Sequence, residues 1–147
     1  MVLSLKEIPA FVNDHIIPLC TNYSIFAFTG PLGSGKTTLI REILKQFGVK
    51  ETITSPTFGY LKSYQTSTNV LVYHFDLYRI NSIKDFIAAG FDEYLSQPNS
   101  IVLIEWPEVI CQLLTSSNIK PMVVYVSLDY HSPDQKVRLV SVITHQS

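Results

Sequence analysis

The run Gly30-Pro-Leu-Gly-Ser-Gly-Lys-Thr37 satisfies G-x-x-x-x-G-K-[ST]. Its glycines let the backbone curl so that successive N–H groups face one anion. A helix beginning at Lys36 would add the partial positive charge of its N-terminus. Lys36 is of the right length to reach the β and γ phosphates, and Thr37 offers a hydroxyl to Mg²⁺. The expected ligand is a nucleoside triphosphate with Mg²⁺. Gly30, Pro31, Leu32, Gly33, Ser34, Gly35, Lys36, Thr37 and Thr38 are its expected contacts.

Phosphoryl transfer needs positioning and charge neutralisation more than covalent chemistry. Such a loop therefore needs a carboxylate at the C-terminal end of another strand, where open α/β sheets place their ligands. Two acids qualify. Glu105 ends the apolar run Ile101-Val-Leu-Ile, and Asp76 ends Val70-Leu-Val-Tyr-His-Phe. One could hold Mg²⁺ through water and the other could orient the attacking water. Catalytic work is thus expected of Asp76, Glu105 and Lys36, and metal binding of Thr37, Glu105, Asp76 and Thr57. Thr57 lies in Ser55-Pro-Thr-Phe58, where switch segments occur, and could add a second hydroxyl when a γ phosphate is present. Trp106 follows Glu105 and could shield the site, meet a partner or simply pack in the core. A structural role is expected for His74; Arg79 could touch phosphate or form a plain salt bridge.

The surrounding pattern supplies elements to position these residues. Tyr23 to Thr29 is a compact apolar run and reads as a buried strand. From Lys36 the period changes: Leu39, Ile40, Ile43, Leu44 and Phe47 share one helical face, and Gly48 ends it. Ser4-Leu-Lys-Glu7 reads as a capping box opening a short helix, with Leu5, Ile8, Phe11 and Val12 on one side. Thr57 to Tyr64 and Asn69 to Phe75 read as strands joined by a polar turn, and Ser82 to Ala89 as a short helix stopped by Gly90. Ile101 to Glu105 is a strand, and Pro107 opens a helix through Leu114. Met122 to Leu128 and Lys136 to Thr144 close the series as strands around the turn-like His131-Ser-Pro-Asp134. The expected fold is α/β: a P-loop NTPase-like three-layer sandwich with a mixed, partly parallel sheet and helices on both faces. Residues 1–147 read as a single domain.

Bulk composition narrows the function. The chain has 147 residues, 46% apolar and 12% aromatic, enough for a sizeable core. Only 16% are charged, against roughly 25% in a typical soluble domain, so some apolar surface is left for a partner. Net charge is −1, so no broad basic face grips a nucleic-acid backbone unaided. No apolar stretch approaches the ~18 residues of a membrane span. The first residues carry no basic region before an apolar core, so no signal peptide is expected and the expected location is cytoplasmic. Cys20 and Cys111 read as small buried thiols, and the scattered histidines lack zinc spacing.

Rival chemistries are weaker. No Asn-Lys-x-Asp is present to read guanine. A small-molecule kinase would clamp two phosphorylated substrates with several arginines and a lid; only Arg41, Arg79 and Arg138 occur. A nucleotide-sensing module without useful turnover is the other alternative. A minimal ATPase remains, and hydrolysis alone accomplishes nothing chemically, which argues for a partner protein.

Five segments then occur in order: Gly30 to Thr38, Ser55-Pro-Thr-Phe58, His74-Phe-Asp-Leu-Tyr-Arg79, Phe91-Asp-Glu-Tyr-Leu95 and Glu105-Trp-Pro-Glu108. Together, from about Tyr23 to Leu128, they resemble the bacterial ATPase family of tRNA threonylcarbamoyladenosine biosynthesis, TsaE (YjeE). The resemblance implies a cytoplasmic ATPase, using ATP, ADP and Mg²⁺, that assists the TsaD–TsaB complex. That complex places threonylcarbamoyl on adenosine 37 of tRNA, which would be met only through the partners. It further implies that Asp76 and Glu105 are tied to Mg²⁺ and hydrolysis, and that Ser55-Pro-Thr behaves as a switch. Pro31 departs from the pattern, since many relatives carry an acid after the first glycine.

Overall fold

The computed structural model describes residues 1–50, 59–131 and 137–144. Thr57 and the rest of the Ser55-Pro-Thr-Phe58 segment lie outside the described residues, as does most of the turn expected after His131.

One strand organises the rest. β2 (Ile25–Thr29) is buried on both faces, with Phe26 and Phe28 on one side and Ile25 and Ala27 on the other. A strand with no polar face must sit inside a sheet covered on both sides. β5 (Ser100–Glu105) is likewise buried throughout and pairs parallel to β2. β4 (Leu71–Asp76) pairs parallel to β5, and β6 (Val123–Tyr130) pairs parallel to β2 on its other side. The outer strands run antiparallel: β3 (Leu61–Gln65) to β4, β7 (Val137–Thr144) to β6, and β1 (Val2–Ser4) to β7. The seven strands lie in the order β1-β7-β6-β2-β5-β4-β3.

Helices cover both faces. α2 (Lys36–Gln46) buries Leu39, Ile40, Ile43 and Leu44 against Phe26, Phe28, Leu103 and Val126. These positions recur every three or four residues, which sets one apolar stripe. Phe47 caps the helix, and Gly48 follows at φ +78°, a conformation glycine adopts without strain. α1 (Ile8–Phe11) joins the same face. On the opposite face, α3 (Ile83–Ala88) contributes Phe86 and α4 (Cys111–Leu114) contributes Leu114, packed with Phe75, Val102 and Ile104. The mixed three-layer α/β architecture expected from the pattern is the one observed.

Several details differ. The Ser4 N–H donates to the Glu7 carboxylate at 2.7 Å, as a capping box requires, and this bond holds the Glu7 carboxyl below the usual carboxylate range. It caps a single 3₁₀ turn over Leu5–Glu7, however, before α1 begins. The tighter turn rotates Leu5 off the apolar stripe, and Leu5 is 71% exposed. A π-helical turn (Val12–Ile16) then keeps Val12 and Ile16 inward. The helix expected from Pro107 to Leu114 opens as a 3₁₀ turn over Pro107–Ile110 before α4. β1 is too short for any periodicity to announce it. Of the two thiols expected to be buried, Cys20 is only partly covered and Cys111 is exposed; desolvation pushes Cys20 up to about 12. No helix among the described residues is long and apolar enough to cross a membrane.

Candidate functional site

The loop 30–35 connects β2 to α2 and is bent by glycines in the left-handed region, Gly30 at φ +143°, Gly33 at +77° and Gly35 at +102°. Gly35 is the N-cap of α2, so the backbone N–H groups of the first turn point outward over the loop. Distant strands hold the loop from behind. The Tyr130 hydroxyl donates to the Leu32 carbonyl at 2.5 Å. The Arg138 guanidinium donates to the Ser34 carbonyl at 2.9 Å and to the Gly33 carbonyl at 3.4 Å, and lies over the Tyr130 ring. Neither residue was marked as functional by the sequence, because their partners are about a hundred positions away.

Lys36 is only 5% exposed and folds back on its own loop. Its Nζ donates to the carbonyls of Gly30 at 2.5 Å and Pro31 at 3.2 Å, and sits 3.8 Å from the centroid of the Trp106 ring. Burial holds its pKa below the usual lysine range, while Glu105, Glu108 and Asp76 pull it back up. Trp106, at φ +57°, turns its ring over the loop and against Tyr78, with ring centroids 5.0 Å apart. The ring lines the cleft beside Lys36 and also packs against the core of that sheet face.

Glu105 is the hub. It is 3% exposed, and both carboxylate oxygens are engaged. Oε1 accepts the Thr37 hydroxyl at 2.7 Å, and Oε2 meets His74 Nε2 at 2.8 Å. His74 is fully buried, and its Nδ1 has no partner. An unprotonated ring nitrogen is the cheaper atom to strand, which fits a ring that donates through Nε2 to the carboxylate. The structural role expected of His74 thus lies at the site itself, since it fixes Glu105. The β4–β5 register carries this: His74 is opposite Leu103 and Asp76 is opposite Glu105.

Asp76 ends β4 beside Glu105, and its Oδ1 accepts the Tyr78 N–H at 3.1 Å. Its pKa is raised from 3.8, first by desolvation and further by Glu105, against the Tyr78 bond, His74 and Lys36. The sign follows. An acid whose folded pKa is raised favours the fold when protonated, so stability is complete below the usual carboxylate range and is lost as pH rises through the raised value. Asp76→Asn is expected to melt higher than the parent at pH 7, with the gain shrinking as pH falls toward 3.8. Thermal melts at several pH values check this; an unchanged or lower melting temperature at pH 7 would contradict it.

These groups face one open cleft of about 350 Å³, lined by the loop, Lys36, Thr37, Thr38, Asp76, Tyr78, Glu105 and Trp106. Leu32 stands exposed in its lining, Pro31 is exposed but does not line it, and Ser34 lines it as a buried residue with an unpartnered Oγ. Arg79 is exposed and does not line the cleft. Among the described residues no group of three or more His, Cys, Asp or Glu side chains forms a metal cage. The oxygens of Thr37, Glu105 and Asp76 are nevertheless hard donors of the kind Mg²⁺ takes, one or two per site, with water and phosphate completing its shell. Chemically, the cleft brings together an ammonium, a helix N-terminus and an edge of carboxylate and hydroxyl oxygens, the groups that a polyphosphate with a divalent cation would use.

A family model described as Threonylcarbamoyl adenosine biosynthesis protein TsaE matches residues 4–137. The tRNA threonylcarbamoyladenosine biosynthesis protein TsaE of Rickettsia felis is 43% identical over 124 residues, 84% of this chain and 67% of that protein. Its namesake from Rickettsia conorii is 42% identical, over 82% of this chain and 64% of that protein, so the chain spans about two thirds of the length of these relatives. The Haemophilus influenzae protein of the same name is 32% identical, over 86% and 76%. The crystal structure of Bacillus subtilis YdiB superposes with a TM-score of 0.64 over 97% of this chain and 83% of that one; at 21% identity this is a likeness of fold. The chain belongs to the TsaE family of threonylcarbamoyl adenosine biosynthesis proteins.

Proposed function

We propose that this protein is a Mg²⁺-dependent ATPase that assists a TsaD–TsaB complex in forming threonylcarbamoyladenosine at position 37 of tRNA. The observation that carries the reading is the convergence of Lys36, Thr37, Asp76 and Glu105 on one cleft at the C-terminal edge of parallel strands. The fit to ATP rests on the outward N–H groups of the glycine loop, the buried unpartnered Ser34 hydroxyl and the confined Lys36 ammonium.

The residues divide the work. Lys36 leaves its two carbonyl partners to neutralise the β and γ phosphates. Thr37, Glu105 and Asp76 would hold Mg²⁺, which supplies charge neutralisation and a template for the leaving group. Glu105 also orients the attacking water, with His74 keeping its carboxylate in place. Trp106 and Tyr78 limit solvent beside the phosphates. The net charge of −1 leaves tRNA binding to the partners.

Purified protein should release phosphate slowly from ATP alone and at a changed rate with the partner complex. Lys36→Ala should weaken ATP binding by about 10²-fold, a loss of roughly 3 kcal/mol. Phosphate release measures the first, and titration of labelled ATP measures the second. A phosphorylated metabolite in place of free phosphate would favour a kinase. The reading fails if a complete modification system makes the same tRNA product with the chain omitted.

A further inference from the structure

Every carbonyl from Gly30 to Ser34 is held by a side chain. Lys36 donates to those of Gly30 and Pro31, Tyr130 to that of Leu32, and Arg138 to those of Gly33 and Ser34. The donors differ in what a nucleotide would do to them. Lys36, in the reading above, leaves its carbonyls for the phosphates, whereas Tyr130 and Arg138 can stay. The loop entrance then still has the fixed φ of Pro31. The stretch from Leu32 to Ser34 has only the two braces.

The braces form one unit. Tyr130 and Arg138 stand directly opposite each other in the β6–β7 ladder, and opposed residues send their side chains to the same face. The guanidinium lies 4.9 Å from the centroid of the Tyr130 ring. A single cross-strand pair thus delivers a hydroxyl and a two-pronged cation to three successive carbonyls. The consequence for the loop follows from peptide geometry. A peptide unit is flat and trans, so its carbonyl and the next N–H point in opposite directions. Drawing the Leu32 and Ser34 carbonyls back aims the Gly33 and Gly35 N–H groups the other way. Both glycines line the cleft. Among the described residues neither N–H meets a protein acceptor, whereas the Ser34 N–H closes a turn on the Pro31 carbonyl at 3.1 Å.

We infer that Tyr130 and Arg138 are positioning residues for polyphosphate: they hold Leu32 to Ser34 in the conformation whose free N–H groups receive it. The inference rests on the ATPase reading above and adds to it the residues that preset the loop. Neither side chain needs to touch the ligand. Gly33 and Gly35 both lie at positive φ, and glycine has more backbone freedom to lose than any other residue. An unbraced loop would turn carbonyl oxygens toward an anion as readily as N–H groups. With the braces in place, the cost of ordering falls on folding rather than on binding. Affinity should therefore respond to the braces more than the rate of the bound complex does.

Calorimetric titration of the full chain with ATP and with inorganic tripolyphosphate, each with Mg²⁺, tests this beside thermal melts. Tyr130→Phe removes one hydroxyl and leaves the ring under Arg138. It should melt with the parent, weaken both ligands alike by about fivefold, and regain most of the hydrolysis rate once ATP saturates. Arg138→Lys keeps the charge but loses the two-pronged hold, and should weaken both ligands at least as much. Unchanged affinities in Tyr130→Phe, with or without a lower melting temperature, would overturn the inference, as would a loss confined to ATP. Parent-like binding by Arg138→Lys would show that residue acting by charge and overturn its positioning role. Binding of neither ligand by unaltered protein would remove the nucleotide reading itself, and the positioning role with it.

Discussion

Glu105→Gln is expected to slow phosphate release by about 10²–10³-fold while ATP affinity changes no more than severalfold. The carboxylate of Glu105 bridges Thr37 and His74 inside the protein. Glutamine keeps that shape. Its oxygen can accept from His74, and its amide can donate to the Thr37 hydroxyl, which accepts as readily as it donates. The network survives, and what disappears is the negative charge beside the metal and the attacking water. Glu105→Ala is less informative, because it strands His74, already without a partner at Nδ1, in a dry interior. Single-turnover phosphate release beside nucleotide titration separates rate from binding. A glutamine variant that hydrolyses ATP within about threefold of the parent rate would take Glu105 out of the chemistry.

Gly30→Ala should be the most damaging small substitution for the fold. A Cβ at Gly30 would lie 2.2 Å from the Leu128 carbonyl oxygen and 2.8 Å from Ser34 Oγ, on a backbone at φ +143°. Leu128 belongs to β6, pairs with Val140 of β7 and follows directly on Ser127, the last β6 residue paired to β2, so its carbonyl has little room to retreat. Strain and overlap together should cost about 3 kcal/mol or more. Gly33→Ala offers the contrast. It too is strained, at φ +77°, but its nearest neighbour is the Tyr130 hydroxyl at 3.0 Å, the end of a movable side chain. Urea unfolding should rank Gly30→Ala well below Gly33→Ala; equal midpoints would refute the packing argument.

The parts of the site that could be read from sequence are those written locally. Gly30 to Thr37 is contiguous, and Glu105 and Asp76 each end an apolar run whose burial aims the next polar residue at the sheet edge. The hairpins β3–β4 and β6–β7 were legible for the same reason, as short apolar runs with polar turns between them. What escaped depends on register and on distance. Nothing near His74 says that it faces Glu105; the parallel pairing of β4 with β5 decides that. Leu5 fits the apolar spacing of a helix, yet a 3₁₀ turn puts it in water, since spacing does not report which helix forms. Cys111 similarly sits in an apolar run but on the outward side of a four-residue helix.

The staples behind the loop govern how the protein is made. Leu32, Gly33 and Ser34 are held by residues 98 to 105 positions later, Tyr130 and Arg138. A ribosome delivers the loop early and its braces late, and the chain grows only about 5–20 residues per second. For several seconds the glycine turn exists without its backing, and β1, whose partner β7 carries Arg138 itself, has nothing to pair with. A nascent chain halted before Val123 would expose the unpaired side of β2, so the β6–β7 pair both covers that side and finishes the loop.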